Sequence, residues 1–80
     1  MDRLTPQIAA AVRDDMATLN ISESQLASKS GIARVTLRRR LSGLSSFTIA
    51  ELDSIASVLR CAPSRYILAA ELAQAERVAS

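Results

Sequence analysis

Apolar residues recur along this chain at intervals of three and four residues, and no segment alternates apolar and polar positions over the length of a strand. The first such run predicts a helix with Thr5 as its N-cap and Pro6 at its first helical position, where proline is well tolerated. The apolar stripe of this helix contains Ile8, Val12, Met16 and Leu19. The spacing is that of an amphipathic helix with one buried face.

Two short helices separated by a glycine are predicted next. Ser22 and Gln25 have the spacing of a capping box, which marks the start of the second helix. Gly31 ends this helix, because glycine readily adopts the left-handed backbone of a helix terminus. The third helix covers about residues 34–41 and stops at Gly43.

The fourth and fifth helices complete the predicted fold. Thr48 and Glu51 form a second capping box at the start of the fourth helix. The fifth helix is predicted over residues 63–79. Its residues expected to pack on the body of the domain are Tyr66, Ile67 and Ala70. The pattern therefore predicts an all-α fold, in which one compact five-helix domain covers residues 1–80.

The composition excludes several kinds of catalytic site. An 80-residue chain has room for one small hydrophobic core. It contains no histidine and a single cysteine, so it cannot form a zinc site of both residue types, a Ser–His–Asp triad or an internal disulfide. No residue pattern indicates a metal, a cofactor or a small-molecule ligand. We therefore do not expect an enzyme.

The expected location is the cytoplasm. The start of the chain lacks the apolar run of a signal peptide, and no segment approaches the roughly 20 apolar residues that span a bilayer. A lone thiol, Cys61, fits a reducing compartment. No membrane partner is expected.

The formal net charge of +2 is unevenly distributed. Residues 1–33 and residues 48–80 each contain three basic and four acidic residues, whereas residues 34–47 contain four basic residues and no acidic one. The four are Arg34, Arg38, Arg39 and Arg40. Arginine presents a planar set of donors that binds phosphate or guanine at two points. Since the helix has no acid of its own to pair with them, the pattern favours an anionic partner over a merely solvated face.

The segment from Ser22 to Ile32, with residues 33–43 after it, resembles a helix-turn-helix. More narrowly, it is similar to the lambda-repressor/Cro-like family of phage and bacterial regulators. The residues that carry this resemblance are Gln25, Leu26, Ala27, Gly31, Ile32, Leu37 and Gly43. Residues 47–59 resemble the fourth helix of the family, and the resemblance as a whole covers about residues 5–70.

The resemblance implies a lambda-repressor-like DNA-binding domain whose helix-turn-helix lies at about residues 22–42. The third helix would enter the major groove of double-stranded DNA. The residues then expected to face bases are Arg34, Val35, Arg38 and Arg39. Those expected to contact phosphate are Ser22, Ser24, Gln25, Thr36, Arg40, Ser45 and Ser46.

Three departures from the family pattern have consequences. Glu23 stands where the family often has glutamine, and we expect it to pair with Arg34 and orient that side chain. Ala33 occupies the N-cap position of the third helix and cannot cap it. Arg40 and Ser30 occupy positions that are commonly apolar and inward. Arg40 is therefore expected to extend towards solvent or phosphate.

A second apolar stripe on the fifth helix contains Leu68, Leu72, Ala75 and Ala79. It predicts a contact in a homodimer that reads a pseudo-palindromic operator, although it could also pack against the first helix. The leading hypothesis is a transcriptional regulator, a phage repressor or Cro-like protein that occupies an operator. The alternatives are an antitoxin-like interaction module that also binds DNA, and the N-terminal domain of a longer repressor.

Overall fold

The computed structural model describes residues 4–79 and, within the last helix, the side chains as far as residue 75 except residue 74. Its helices are α1 (Thr5–Leu19), α2 (Glu23–Ser30), α3 (Arg34–Leu41), α4 (Ile49–Leu59) and α5 (Ser64–Ala79). Across residues 4–79 there is no strand, so the predicted all-α, five-helix fold is confirmed. α1 contacts α3, α4 and α5, while α2 packs against α3 and α4.

The beginning of α1 differs from the prediction. Thr5 is the first helical residue, and the N-cap is Leu4, which provides no side-chain hydrogen bond. The Thr5 side chain is buried, and its Oγ1 lies 2.9 Å from Oγ of Ser46 in a hydrogen bond. Thr5 was predicted as the N-cap because its residue type suits that role. Instead its hydroxyl joins α1 to the loop that precedes α4.

One hydrophobic core holds the helices together. Its buried members are Val12, Met16, Leu26, Leu37, Leu41, Leu52, Ile55, Ala56, Leu59 and Tyr66. Leu19, which was predicted to belong to the stripe of α1, is 50% exposed. The reason is that α1 ends at this residue, and Asn20 turns the chain away with a left-handed φ of 56°.

Both predicted capping boxes are present. The Ser22 hydroxyl accepts from the Gln25 N–H at 3.1 Å, and the Gln25 side-chain oxygen accepts from the Ser22 N–H at 2.9 Å. Thr48 and Glu51 make the same two bonds at 3.0 and 2.9 Å. Ala33 provides no side-chain cap to α3, as expected. Local sequence rules therefore place the starts of α2 and α4 correctly.

α5 has one covered apolar face and one exposed face. Tyr66 and Ala70 are buried, whereas Ile67 is 37% exposed and was wrongly predicted to pack inward. Leu68 and Leu72, each 57% exposed, lie about 160° and about 120° around the helix from Tyr66. They therefore do not contribute to the packing of α5 against α1.

Polar contacts border the buried Tyr66 ring. The free thiol of Cys61 donates to the Tyr66 hydroxyl at 3.3 Å, and burial raises the pKa of Tyr66 far above its usual range. Arg65 donates twice to the Asp15 carboxylate, at 3.1 and 3.0 Å, which joins α5 to α1. The hydrogen bond from Arg65 is the main reason that the pKa of Asp15 is lowered.

Two helix ends give opposite predictions for stability. Gly31 has φ of 77° and no atom near the position of an added Cβ, so Gly31→Ala tests backbone strain alone. We expect it to lower the free energy of unfolding by about 1 kcal/mol. Arg60 holds a similar left-handed conformation with φ of 61°, so Arg60→Gly should raise that free energy by about 0.5 kcal/mol. Urea unfolding of both variants measures the two changes, and shifts of the same sign would contradict them.

Candidate nucleic-acid interface

α3 separates an apolar face from a basic one. Leu37 and Leu41 are buried in the core. Because successive helical residues are about 100° apart, Val35 and Arg39 lie on the opposite side, and both are exposed. Arg34 is exposed as well. The outer surface of α3 is therefore a row of side chains that no part of the core covers.

Arg40 does not belong to this exposed row. Its guanidinium donates to the Glu51 carboxylate through Nε at 2.9 Å and through Nη2 at 3.3 Å. Nη1 donates to the Ser45 hydroxyl at 2.6 Å, and the Arg40 side chain is only 21% exposed. Arg40 therefore does not extend into solvent as expected, since it lies on the flank of α3 that faces α4, and its contact with phosphate stays a prediction.

The pairing of Arg40 also corrects the premise that these arginines have no acid to pair with. That premise considered only α3 itself, whereas the acid comes from α4. The hydrogen bond from Arg40 is the largest contribution that lowers the pKa of Glu51, and it raises the pKa of Arg40. Glu51 thus serves two elements, because the same carboxylate also caps α4.

The loop between α3 and α4 is anchored at both of its predicted phosphate-binding serines. The Ser45 hydroxyl accepts from Arg40, and the Ser46 hydroxyl is bonded to Thr5 of α1. Leu44 in the same loop is 79% exposed. The loop is therefore held to the body of the domain, with the Leu44 side chain in solvent.

Arg13 of α1 holds the end of α3. Its Nη1 donates to the carbonyl oxygen of Leu41, the last residue of α3. A cation at a helix C-terminus is favourable because the carbonyl groups there carry partial negative charge. The periodicity of α1 placed Arg13 off the apolar stripe and gave it no role. No local sequence rule would have found this contact.

Glu23 pairs with a different arginine from the one predicted. Its Oε1 lies 3.6 Å from Nε of Arg38, whereas Arg34 was expected as the partner. The reason is the position of α2, whose first turn lies beside the C-terminal half of α3. Glu23 and Arg38 line the same cavity of about 470 Å³ as Leu41 and Met16. Arg34 makes no ion pair with any residue that the structure describes.

The first turn of α2 faces outward and leaves donors available. The side-chain oxygens of Ser22 and Gln25 are used by the capping box, but the Gln25 amide also carries an NH2 group. Ser24 is exposed. A helix N-terminus carries partial positive charge and N–H groups that lack partners within the helix, so this end of α2 suits an anion.

Two other kinds of site were sought in the described part of the chain. Among the side chains that the structure describes, no group of cysteine, aspartate and glutamate is placed to hold a metal ion. None of the helices described is both long enough and apolar enough to cross a membrane.

Comparison with known proteins identifies the family. A family model described as helix-turn-helix, of the lambda-repressor/Cro-like class, matches residues 12–66. This chain belongs to the helix-turn-helix family. The match begins in α1, ends in α5 and contains α2 and α3 entirely. No curated protein matches the chain, and no solved structure matches it.

Membership of the helix-turn-helix family indicates what the domain binds. The domain is that of a sequence-specific transcriptional regulator that binds double-stranded DNA. The helix-turn-helix that was predicted at about residues 22–42 coincides with α2 and α3. In this family the second helix of the motif is the one that enters the major groove. That helix is α3, with its buried leucines on the side away from solvent.

The Arg40–Glu51 pair predicts how stability depends on pH. The folded-state pKa of Glu51 lies below its ordinary value of 4.5, so the folded protein binds fewer protons at this group than the unfolded chain does. The stabilising contribution is complete above about pH 4.5 and is lost as the pH falls through the lower, folded-state pKa. We expect Glu51→Gln to lower the free energy of unfolding at pH 7 by on the order of 1 kcal/mol and to flatten its acid dependence.

Urea unfolding between pH 3 and 7, roughly the range over which carboxylates titrate, measures both effects. Asp53→Asn is the control, because it removes an exposed carboxylate from the same helix without touching Arg40. Asp15, whose pKa is also lowered, keeps part of the acid dependence in both variants. An acid dependence in Glu51→Gln as steep as in the unaltered protein would contradict the role given to the pair.

Proposed function

We propose that this protein is a phage-type, Cro-like repressor that blocks transcription by occupying an operator. The observation that carries the proposal is the division of α3 into two faces. Leu37 and Leu41 are buried on one face, while Val35 is 75% exposed on the other beside the exposed arginines. An α-helix of this kind fits the major groove, which is about 12 Å wide. Bound over a promoter, a domain of this size would exclude the transcription machinery by its bulk.

The base-reading residues proposed are the four exposed side chains of α3. Arg34, Arg38 and Arg39 can each donate two hydrogen bonds to O6 and N7 of guanine, the commonest specific contact of arginine. Val35 offers an apolar surface that suits the methyl group of thymine. Arg34 and Arg39 make no ion pair with residues in the described range, which leaves their donors to a ligand.

The phosphate contacts proposed lie on either side of α3. Ser22, Ser24 and Gln25 would bind through the first turn of α2, using N–H groups and the Gln25 amide. On the other side lie Thr36 of α3 and the loop residues Ser45 and Ser46. The Ser45 hydroxyl accepts from Arg40 and still has a proton of its own to donate. Arg40 is a further proposed phosphate contact, through the two of its five N–H groups that do not donate to Glu51 or Ser45.

Homodimerisation on DNA is proposed through the exposed face of α5, formed by Leu68, Leu72 and Ala75. All three are exposed and lie away from the face that packs on α1. Paired leucines at a spacing of four suit contact with the same surface of a second copy. The molecule measures 39 × 23 × 20 Å, so two copies side by side would reach major grooves about 34 Å apart. The operator would then be pseudo-palindromic.

Selection of bound duplexes from a random pool tests this function. We expect one preferred site with inverted-repeat symmetry, which would also report the dimer. Arg39→Ala should weaken binding to that site by about 1–3 kcal/mol and relax one base position. Lys29→Ala is the charge-matched control and should relax no base position, because Lys29 is exposed on α2 and lines a cavity with Gln25, Leu19 and Val58 but with no residue of α3.

Two results of the selection would contradict the proposal. A pool without any enriched sequence would show that binding, if present, is not sequence-specific. Equal binding of every duplex by Arg39→Ala and by the unaltered protein would show that α3 does not enter the groove. A single enriched site without symmetry would contradict the proposed homodimer but not the proposed DNA binding.

A further inference from the structure

Glu23 is an acidic side chain within a surface otherwise arranged to meet polyanionic DNA. It is the first residue of α2, its side chain is 37% exposed, and it lies 3.6 Å from Arg38. Such a carboxylate repels phosphate and lowers the affinity for any duplex. An ion pair this exposed also contributes little to folding stability. Neither stability nor affinity therefore explains its position.

The geometry of the pair suggests what Glu23 does. The carboxylate approaches Nε of Arg38, which is the inner edge of the guanidinium. The two terminal Nη groups have no partner among the described residues, and the Arg38 side chain is 68% exposed. These terminal groups form one of the two edges of arginine that can donate a pair of parallel hydrogen bonds. The ion pair thus restrains the side chain without using that edge.

Arg38 differs in this respect from the other arginines of α3. Arg34 and Arg39 have no acidic partner in the part of the chain that the structure describes, so their side chains are free to take several rotamers. Arg40 donates three of its five N–H groups to Glu51 and Ser45, and its side chain is only 21% exposed. Arg38 is therefore the arginine of this helix that is both held by the protein and open to a ligand. A restrained arginine loses less side-chain entropy when it binds.

We propose that Glu23 is a positioning residue that directs the terminal edge of Arg38 at a guanine, so that the strictest base preference of the operator lies at the base pair facing Arg38. This inference rests on the proposed function. A guanidinium held in one orientation favours guanine, because O6 and N7 of that base accept two hydrogen bonds from it. A mobile arginine also binds phosphate. Glu23 accordingly increases discrimination and reduces non-specific affinity together.

The test measures dissociation constants for the operator obtained by selection, for operators changed at each base pair, and for a random duplex. Arg38→Ala locates the base pair that Arg38 reads. Glu23→Gln should reduce the preference for guanine at that same pair by about threefold, and the double variant should discriminate no worse than Arg38→Ala alone. The random duplex should bind Glu23→Gln more tightly than it binds the unaltered protein.

Two controls separate positioning from charge and folding. Glu71→Gln removes an exposed carboxylate from α5 and should leave the base preferences unchanged. Arg38→Lys keeps the positive charge but lacks the fork, so it should lose the guanine preference while retaining affinity for the random duplex. Urea unfolding of Glu23→Gln should match that of the unaltered protein, as expected of an exposed pair.

Unchanged base preferences in Glu23→Gln would overturn the inference, even if its affinity for all duplexes rose. So would a change confined to a base pair other than the one that Arg38 reads. Both results would leave the proposed function intact. If the unaltered protein selected no site, the proposed function would fail and this inference with it.

Discussion

The ion pair between Arg40 and Glu51 joins α3, which packs against α1 and α2, to the first turn of α4. Arg40 lies on the flank of α3 next to α4, and its guanidinium is bonded to the carboxylate that also caps α4. The Glu51 carboxylate therefore holds both the start of α4 and the flank of α3 that faces α4. With that flank held and Leu37 buried, the opposite side of α3 faces solvent. Arg40 also donates to the Ser45 hydroxyl, which ties the loop between α3 and α4 to the same ion pair.

The features that could be predicted from the sequence are those determined by local chemistry. Capping boxes need only a hydroxyl and a side-chain acceptor three residues apart, and both predicted boxes are present. Gly31 ends α2 because few other residues adopt its backbone conformation. The resemblance to the helix-turn-helix family was carried by the same local features, so it could be read before any tertiary contact was known.

The partners of the charged side chains could not be predicted, because tertiary packing decides them. Arg40 and Glu51 are eleven residues apart on different helices, and the contact of Thr5 with Ser46 spans forty-one residues. A useful signal was present, since a helix with Leu37 and Leu41 inward places Arg40 at the edge of its buried face. The sequence of α3 alone, however, does not show which residue of another helix lies beside that edge. Glu23 was correctly marked as unusual, but its partner depended on how α2 crosses α3.

The central claim is that α3 presents its outer arginines to DNA while Arg40 stays bound to Glu51. The side-chain Nε–H resonances of the arginines, followed by NMR as the selected operator is added, test it most directly. The signals of Arg38 and Arg39 should shift, because bases come to lie beside their guanidinium groups, while that of Arg40 should stay in place. A shift of the Arg40 signal, with those of Arg38 and Arg39 unchanged, would contradict this arrangement.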